Sequence, residues 1–299
     1  MQTLVEIQSR LDKLRDIRHL LRSIRALSAI RWRRSRTHLW TAKTYAMSVD
    51  NQLGLLLGLE KGYRQKKEEF KKYQPQNAVI GLIMLTSDRG LCGTFNTNLV
   101  NYAINLTTKW QKNNNTVKII SCGGYGEHIL FRRGFEVLYK ADFPFTHDVS
   151  FVSGRNVANQ IKGFYESNTI SELYVIYNEF ISFGKYESKI IKLLPLDLSG
   201  IILPNQDKYN ELIIASDHRE LREFLIWEHF STRLYLALIE SMVSENSARL
   251  QAMDSAITNV DDRMAQLEQN YHSIRQESIT QEILEVQSNL MGEIFASGS

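Results

Sequence analysis

From residue 217 to residue 298 the chain runs from DHRELREFLIWEHF to VQSNLMGEIFAS with no proline and, ahead of Gly298, only Gly292. Nothing there stops a helix over about 80 residues, and at about 1.5 Å per residue such a helix would reach on the order of 120 Å. Its apolar positions run Met253, Ile257, Val260, Met264, Leu267, Tyr271, Ile274, then step out of phase and resume at Ile279, Ile283, Val286, Leu290, Ile294. Gaps alternating between four and three are the seam of a left-handed coiled coil.

So narrow a stripe has to be covered by a second helix of comparable length, and the other end of the chain offers one. Residues 3–58 carry Leu4, Ile7, Leu11, Leu14, Ile17, Leu21, Ile24 and Leu27, with no proline and no glycine before Gly54. The four prolines, Pro75, Pro144, Pro195 and Pro204, all fall between the two stretches. The pattern predicts an α/β domain inserted between two long terminal helices forming an antiparallel left-handed coiled coil. Ordinary bundle core is the plainer explanation of apolar periodicity. Against it, an uncapped periodic run beyond about 25 residues points to a coiled coil, a membrane span or a repeat. No repeat is visible, and polar residues between the seam positions exclude a span.

The expected divisions are an N-terminal coiled-coil helix (1–58), a charged connector (59–77), a Rossmann-like α/β domain (78–216) and a C-terminal coiled-coil helix (217–299). In the middle, Val79–Thr86, Val117–Cys122, Val137–Ala141 and Leu173–Ile181 read as strands. Helix-like stretches near Thr97–Lys112, Tyr125–Arg133 and Asn156–Ser167 separate them. Strands alternating with helices make a mostly parallel sheet, to which Tyr186–Leu194, ending at Pro195, adds an edge strand.

With 299 residues, 43% of them hydrophobic, the chain can build one medium core and an elongated appendage. The net charge of +3 is small, yet residues 1–50 hold 11 Lys and Arg against 4 Asp and Glu. The positive charge is local to the first helix. Cys92 and Cys122 form no disulfide framework or metal spacing, which fits a reducing compartment. The longest apolar run, Ala78–Leu85, is far short of the roughly 20 residues that cross a bilayer, so the chain is expected to be soluble or peripheral to a membrane.

Two glycine-rich turns, Ser87–Gly93 after the first strand and Gly123–Gly126 after the second, sit where such folds bind phosphates. Neither matches GxGxxG or a P-loop, and tight strand-to-helix turns need glycine for backbone reasons alone. Cys92 could be a nucleophile, but no histidine stands at a diagnostic spacing, and a small half-buried thiol is the simpler account. The cluster Arg22, Arg25, Arg31, Arg33, Arg34, Arg36 suits an acidic partner, with duplex nucleic acid the generic candidate. A nucleotide-binding α/β enzyme with helical arms and a basic coiled-coil nucleic-acid adaptor thus stay open on composition and spacing.

Three stretches carry a resemblance. SDRGLCGTFN (Ser87–Asn96), SENSARLQAMDSA (Ser244–Ala256) and RQESITQEILEV (Arg275–Val286) resemble the signatures of the gamma subunit of F-type (F1Fo) ATP synthases. The last contains that family's I-T-x-E-x-x-E pattern as Ile279, Thr280, Glu282, Glu285. The likeness runs through the whole chain in order. Departures exist: Ile24–Arg31 has arginine where the family's lysine is usual, and Ser288-Asn289 replaces Gly-Ala. In these the chain resembles the alternative, sodium-type bacterial version as readily as the ordinary one.

The resemblance implies a rotor shaft that does no chemistry itself, needs no cofactor or metal and binds no nucleic acid. Its implied partners are the alpha and beta subunits of the catalytic hexamer, the epsilon subunit and the ring of membrane c subunits. The shaft meets the membrane only through that complex, at the cytoplasmic face of the bacterial inner membrane. Arg275, Gln276, Thr280 and Glu282 match positions that contact the catch loops of the catalytic subunits. Arg25, Arg31, Arg33 and Arg34 form a basic collar facing acidic lever loops. Leu290, Met291, Ile294 and Phe295 form the axle tip, and Asp88, Gly90, Cys92, Gly93 and Asn96 the signature turn. Antiparallel pairing with Leu4 near Ile283–Leu290 would set the collar beside residues 255–265, where Asp254, Asp261 and Asp262 neutralise part of it.

Overall fold

A computed structural model of the chain describes residues 4–59, 77–141, 150–196, 201 and 218–296, with the backbone alone at 59, 218, 286 and 288–296. Residues 60–76 of the expected connector (59–77) and the side chains of the axle tip, Leu290, Met291, Ile294 and Phe295, lie outside the described residues. The two terminal stretches are the helices α1 (Leu4–Leu59) and α5 (His218–Ala296). By packing, the chain divides into two compact units, Met1–Leu27 with Ala252–Ser299, and Ser28–Gln251.

In the larger unit a mixed sheet is built from β1 (Val79–Leu85), β2 (Thr116–Cys122), β3 (Val137–Ala141), β4 (Glu172–Ser182) and β5 (Lys185–Leu194). The order is β3-β2-β1-β4-β5, parallel except for β5, which pairs antiparallel with β4 at one edge. The helices α2 (Phe95–Lys112), α3 (Gly124–Arg132) and α4 (Phe151–Glu166) connect the parallel strands. β1 is central because its run VIGLIML is apolar on both faces, as a strand covered on both sides must be.

Alternate β1 residues feed two cores. Ile83 and Leu85 join Ile120, Val175 and Tyr177 against Leu234, Leu238 and Met242 of α5, Val157 of α4 and Leu39 of α1. Leu82 and Met84 face the other way, with Ile176, onto Leu99 and Val100 of α2 and Leu130 of α3. Each such side chain contributes about 1.5–3 kcal/mol by leaving water. α4 starts at Phe151, five residues ahead of the expected Asn156. Its cap is Ser150, whose hydroxyl accepts from the Ser153 amide at 3.1 Å and satisfies one free donor of the first turn.

In the smaller unit, Ile7 and Leu11 of α1 are buried with Met264 and Leu267 of α5, and Leu14, Val260, Tyr271 and Ile274 pack around them. Arg25 pairs with Asp254, Arg18 with Asp261 at 2.7 Å and Arg15 with Glu268 at 3.7 Å, so numbers fall along α1 as they rise along α5. This register differs from the expected one. Asp254 pairs with the collar's Arg25 as expected, but Ile283 is exposed, the buried cluster containing Ile7 reaches no further than Ile274 among the described residues, and Asp261 pairs with Arg18 rather than a collar arginine. Ile17 and Leu27, expected on the seam, are exposed as well. Two successive three-residue steps, Leu11 to Leu14 to Ile17, turn about 600° at 100° per residue and so leave Ile17 roughly 120° off the face of Leu11.

Candidate functional site

The first two signature stretches meet. β1 ends in a turn that doubles back before α2, and its side chains tie it internally. The Ser87 amide donates to Asn96 Oδ1 at 2.9 Å, Asn96 Nδ2 donates to Ser87 Oγ at 2.6 Å and to Cys92 Sγ at 3.3 Å, and Ser87 Oγ donates to the Arg89 carbonyl at 2.7 Å. Asp88 accepts from the Gly124 amide at 3.3 Å and so occupies the start of α3. Gly93 takes a φ of 60°, which only glycine adopts freely, and Leu91 at the exposed tip takes 63°.

Below the turn runs the SENSARLQAM stretch of α5. Arg249 donates to the Arg89 carbonyl at 3.1 Å and to the Gly90 carbonyl at 3.4 Å, while pairing with Glu245 at 2.8 Å. Both members of that pair are buried. Burial pushes the Glu245 carboxyl above its ordinary range, and the Arg249 guanidinium opposes the shift. Ala248 packs on Cys92 and Phe95, and Ser247 Oγ accepts from the Gly184 amide of the β4–β5 turn at 2.7 Å. The two signatures therefore lock the C-terminal ends of the strands onto α5.

The glycine turn after β2 is closed by the protein itself. Gly123 has a φ of 99°, and a Cβ there would lie 2.2 Å from the Thr86 carbonyl oxygen. Thr86 Oγ1 accepts from the Gly126 amide at 3.2 Å, taking the donor that a phosphate would use. Burial raises the Cys92 thiol and pushes Cys122 up to about 12, so both are protonated and poor nucleophiles near neutral pH. Among the described residues no cluster of three or more His, Cys, Asp or Glu could hold a metal. Nor is any described helix long and apolar enough to cross a membrane.

The remaining candidates are spread along the helices. Arg275, Gln276, Thr280 and Glu282 are all exposed on α5, where Thr280 Oγ1 donates back to the Gln276 carbonyl at 2.8 Å. In the smaller unit, Arg25 is spent on Asp254. In the larger unit, Arg33 and Arg34 are exposed, and Arg31 is half-buried with its charge acting on Glu245. The Glu245–Arg249 clamp escaped the sequence reading. Its signal was a charged pair at helical spacing inside a stretch of α5 that has to be buried.

A sequence model of the ATP synthase family matches residues 3–290. The chain is 28% identical over 282 residues to an ATP synthase gamma chain of Caldicellulosiruptor saccharolyticus, covering 94% of this chain and 95% of that one. To the gamma chain of Legionella pneumophila it is 27% identical over 288 residues, covering 94% and 96%. Among solved structures it is similar to a chain of the Euglena gracilis mitochondrial ATP synthase OSCP/F1/c-ring, with a TM-score of 0.65, 17% identity and coverage of 97% and 94%. A central stalk/c-ring chain from the Tetrahymena thermophila mitochondrial ATP synthase gives a TM-score of 0.59 at 20% identity, covering 79% and 99%. The chain thus shares its fold with these ATP synthase chains. The chain belongs to the ATP synthase gamma family, whose gamma chain is the non-catalytic stalk subunit, with catalysis in the beta subunits.

Proposed function

We propose that this chain is the rotor shaft that couples ion-driven rotation of a membrane ring to ATP synthesis or hydrolysis in a catalytic hexamer of alpha and beta subunits. The family match across residues 3–290 carries the reading. In it, the opposite-running ion pairs Arg25–Asp254 and Arg18–Asp261 belong to an antiparallel left-handed coiled coil. Segments 1–58 and 217–299 supply its helices, 59–77 is the connector, and 78–216 is a Rossmann-like foot resting, with the epsilon subunit, on the c ring at the cytoplasmic face of a bacterial membrane.

Exposed Arg275, Gln276, Thr280 and Glu282 engage the catch loops of the catalytic subunits. Arg31, Arg33 and Arg34, with Arg25, face their acidic lever loops, and Leu290, Met291, Ile294 and Phe295 form the tip of the axle. An asymmetric shaft drives the sites in turn because it contacts each differently at any moment, the condition for shifting a conformational equilibrium. The test is the triple substitution of Arg275, Gln276 and Thr280 by alanine in the assembled complex. ATP-driven ion pumping should fall well below that of the parent, and unchanged pumping with normal assembly would remove these residues from the coupling path.

A further inference from the structure

In the larger unit a cavity of about 290 Å³ lies between α1, the strands β4 and β5, and α5. Its charges are sorted by depth. The carboxylates are the less exposed groups, with side-chain exposure of 4% for Glu240, 22% for Asp50 and 29% for Glu179. A more exposed cation answers each: Lys43 lies 2.8 Å from Glu240, Arg233 on Asp50 and Lys189 2.6 Å from Glu179. The Tyr177 phenol lines the same cavity as Glu240. Met47, Ile191 and Leu236 supply apolar wall.

We propose that this cavity binds a small aliphatic zwitterion, with its ammonium group at Glu240 and Tyr177 and its anionic end at Lys189 and Arg233. A buried carboxylate tolerates exchange of its cation but not loss of it. An incoming ammonium replaces that of Lys43 one for one, and the released lysine regains water and rotamer freedom. An anion lacking the ammonium would enter beside three carboxylates, and an amine lacking the anion would leave its outer end among cations. The volume, at the lower end for ligand sites, suits a short chain whose methylenes lie on Met47, Ile191 and Leu236.

The test is calorimetric titration of the full chain, or the complex containing it, with 6-aminohexanoate as probe and hexanoate and hexylamine as controls. The zwitterion should bind saturably and at least about tenfold more tightly than either control. Glu240→Gln should abolish binding, and Ala237→Leu, which fills the cavity without touching its charges, should do the same while the circular dichroism stays native. Lys43→Ala, by removing the competing ammonium, should tighten binding, an outcome no merely structural role for the lysine would produce. Absence of saturable binding, equal binding of hexanoate, retained binding in a folded Ala237→Leu chain, or weaker binding in Lys43→Ala would each overturn the proposal.

Discussion

The two units use the same pair of helices but hold them by different means. In the smaller unit a thin apolar seam, Ile7, Leu11, Met264 and Leu267, is flanked by ion pairs open to solvent. In the larger unit the helices are packed against a sheet and joined by pairs in which one partner is buried. Glu228 accepts from Tyr45 of α1 at 2.7 Å and Arg155 of α4 at 2.6 Å, and Glu240 takes Lys43 of α1, while within α5 the wholly buried Glu245–Arg249 pair reaches the turn after β1. Exposed pairs are worth only about 0–1 kcal/mol each, whereas breaking a buried one leaves a stranded charge that costs about 3–5 kcal/mol. Helix propensity being equal, stiffness should follow burial.

The largest expected effect is at the clamp. Arg249→Met strands Glu245 and frees the Arg89 and Gly90 carbonyls, and should cost about 3–5 kcal/mol in urea unfolding of the larger unit. Loss of less than about 1 kcal/mol would mean that the clamp does not hold the strand ends to α5. Leu11→Ala, in the smaller unit, should cost about 2–3 kcal/mol. Its damage should appear in hydrogen exchange of residues 4–27 and leave the sheet amides protected; loss of protection throughout the chain would erase the difference between the units.

A pH effect of intermediate size belongs to Glu245. Burial raises its carboxyl in the folded chain, so the native state holds more protons than the unfolded one between the ordinary carboxylate range and the raised value. Stability contributed there is full at low pH and is lost as pH rises through that window. Glu245→Gln should flatten this slope, and an unchanged pH profile would assign it to other groups. The smallest effect is at the surface: Arg25→Ala should cost about 0–1 kcal/mol and less in high salt. A larger, salt-insensitive loss would show that the Arg25–Asp254 pair is shielded from water after all.

Much of this was legible in the sequence because the strongest signals were periodic or continuous. The absence of proline, with Gly292 the one glycine inside the helix, located α5 to within about three residues, and the run Val79–Leu85 located β1. Features set by contact between distant segments were not legible. The three-residue steps that carry Ile17 off the seam can be read in the sequence, but which residues of α5 face α1 cannot, and that register is seen only where Arg18 meets Asp261 and Arg25 meets Asp254. Arg249 lay inside a recognised signature, but its task is defined by two backbone carbonyls about 160 positions away. Ser150 was missed as a cap because the helix it opens begins with Phe151 and Val152, whose β preference hid the start.

As a central-stalk subunit of its family, this chain turns as a shaft within its complex. The direct measurement is rotation of a probe fixed to the exposed outer surface of α2, in the complex assembled with its catalytic subunits immobilised and supplied with ATP. Rotation in one direction, pausing once for each catalytic site in every turn, is the predicted result. ATP hydrolysis by a correctly assembled complex while the probe stands still would contradict it.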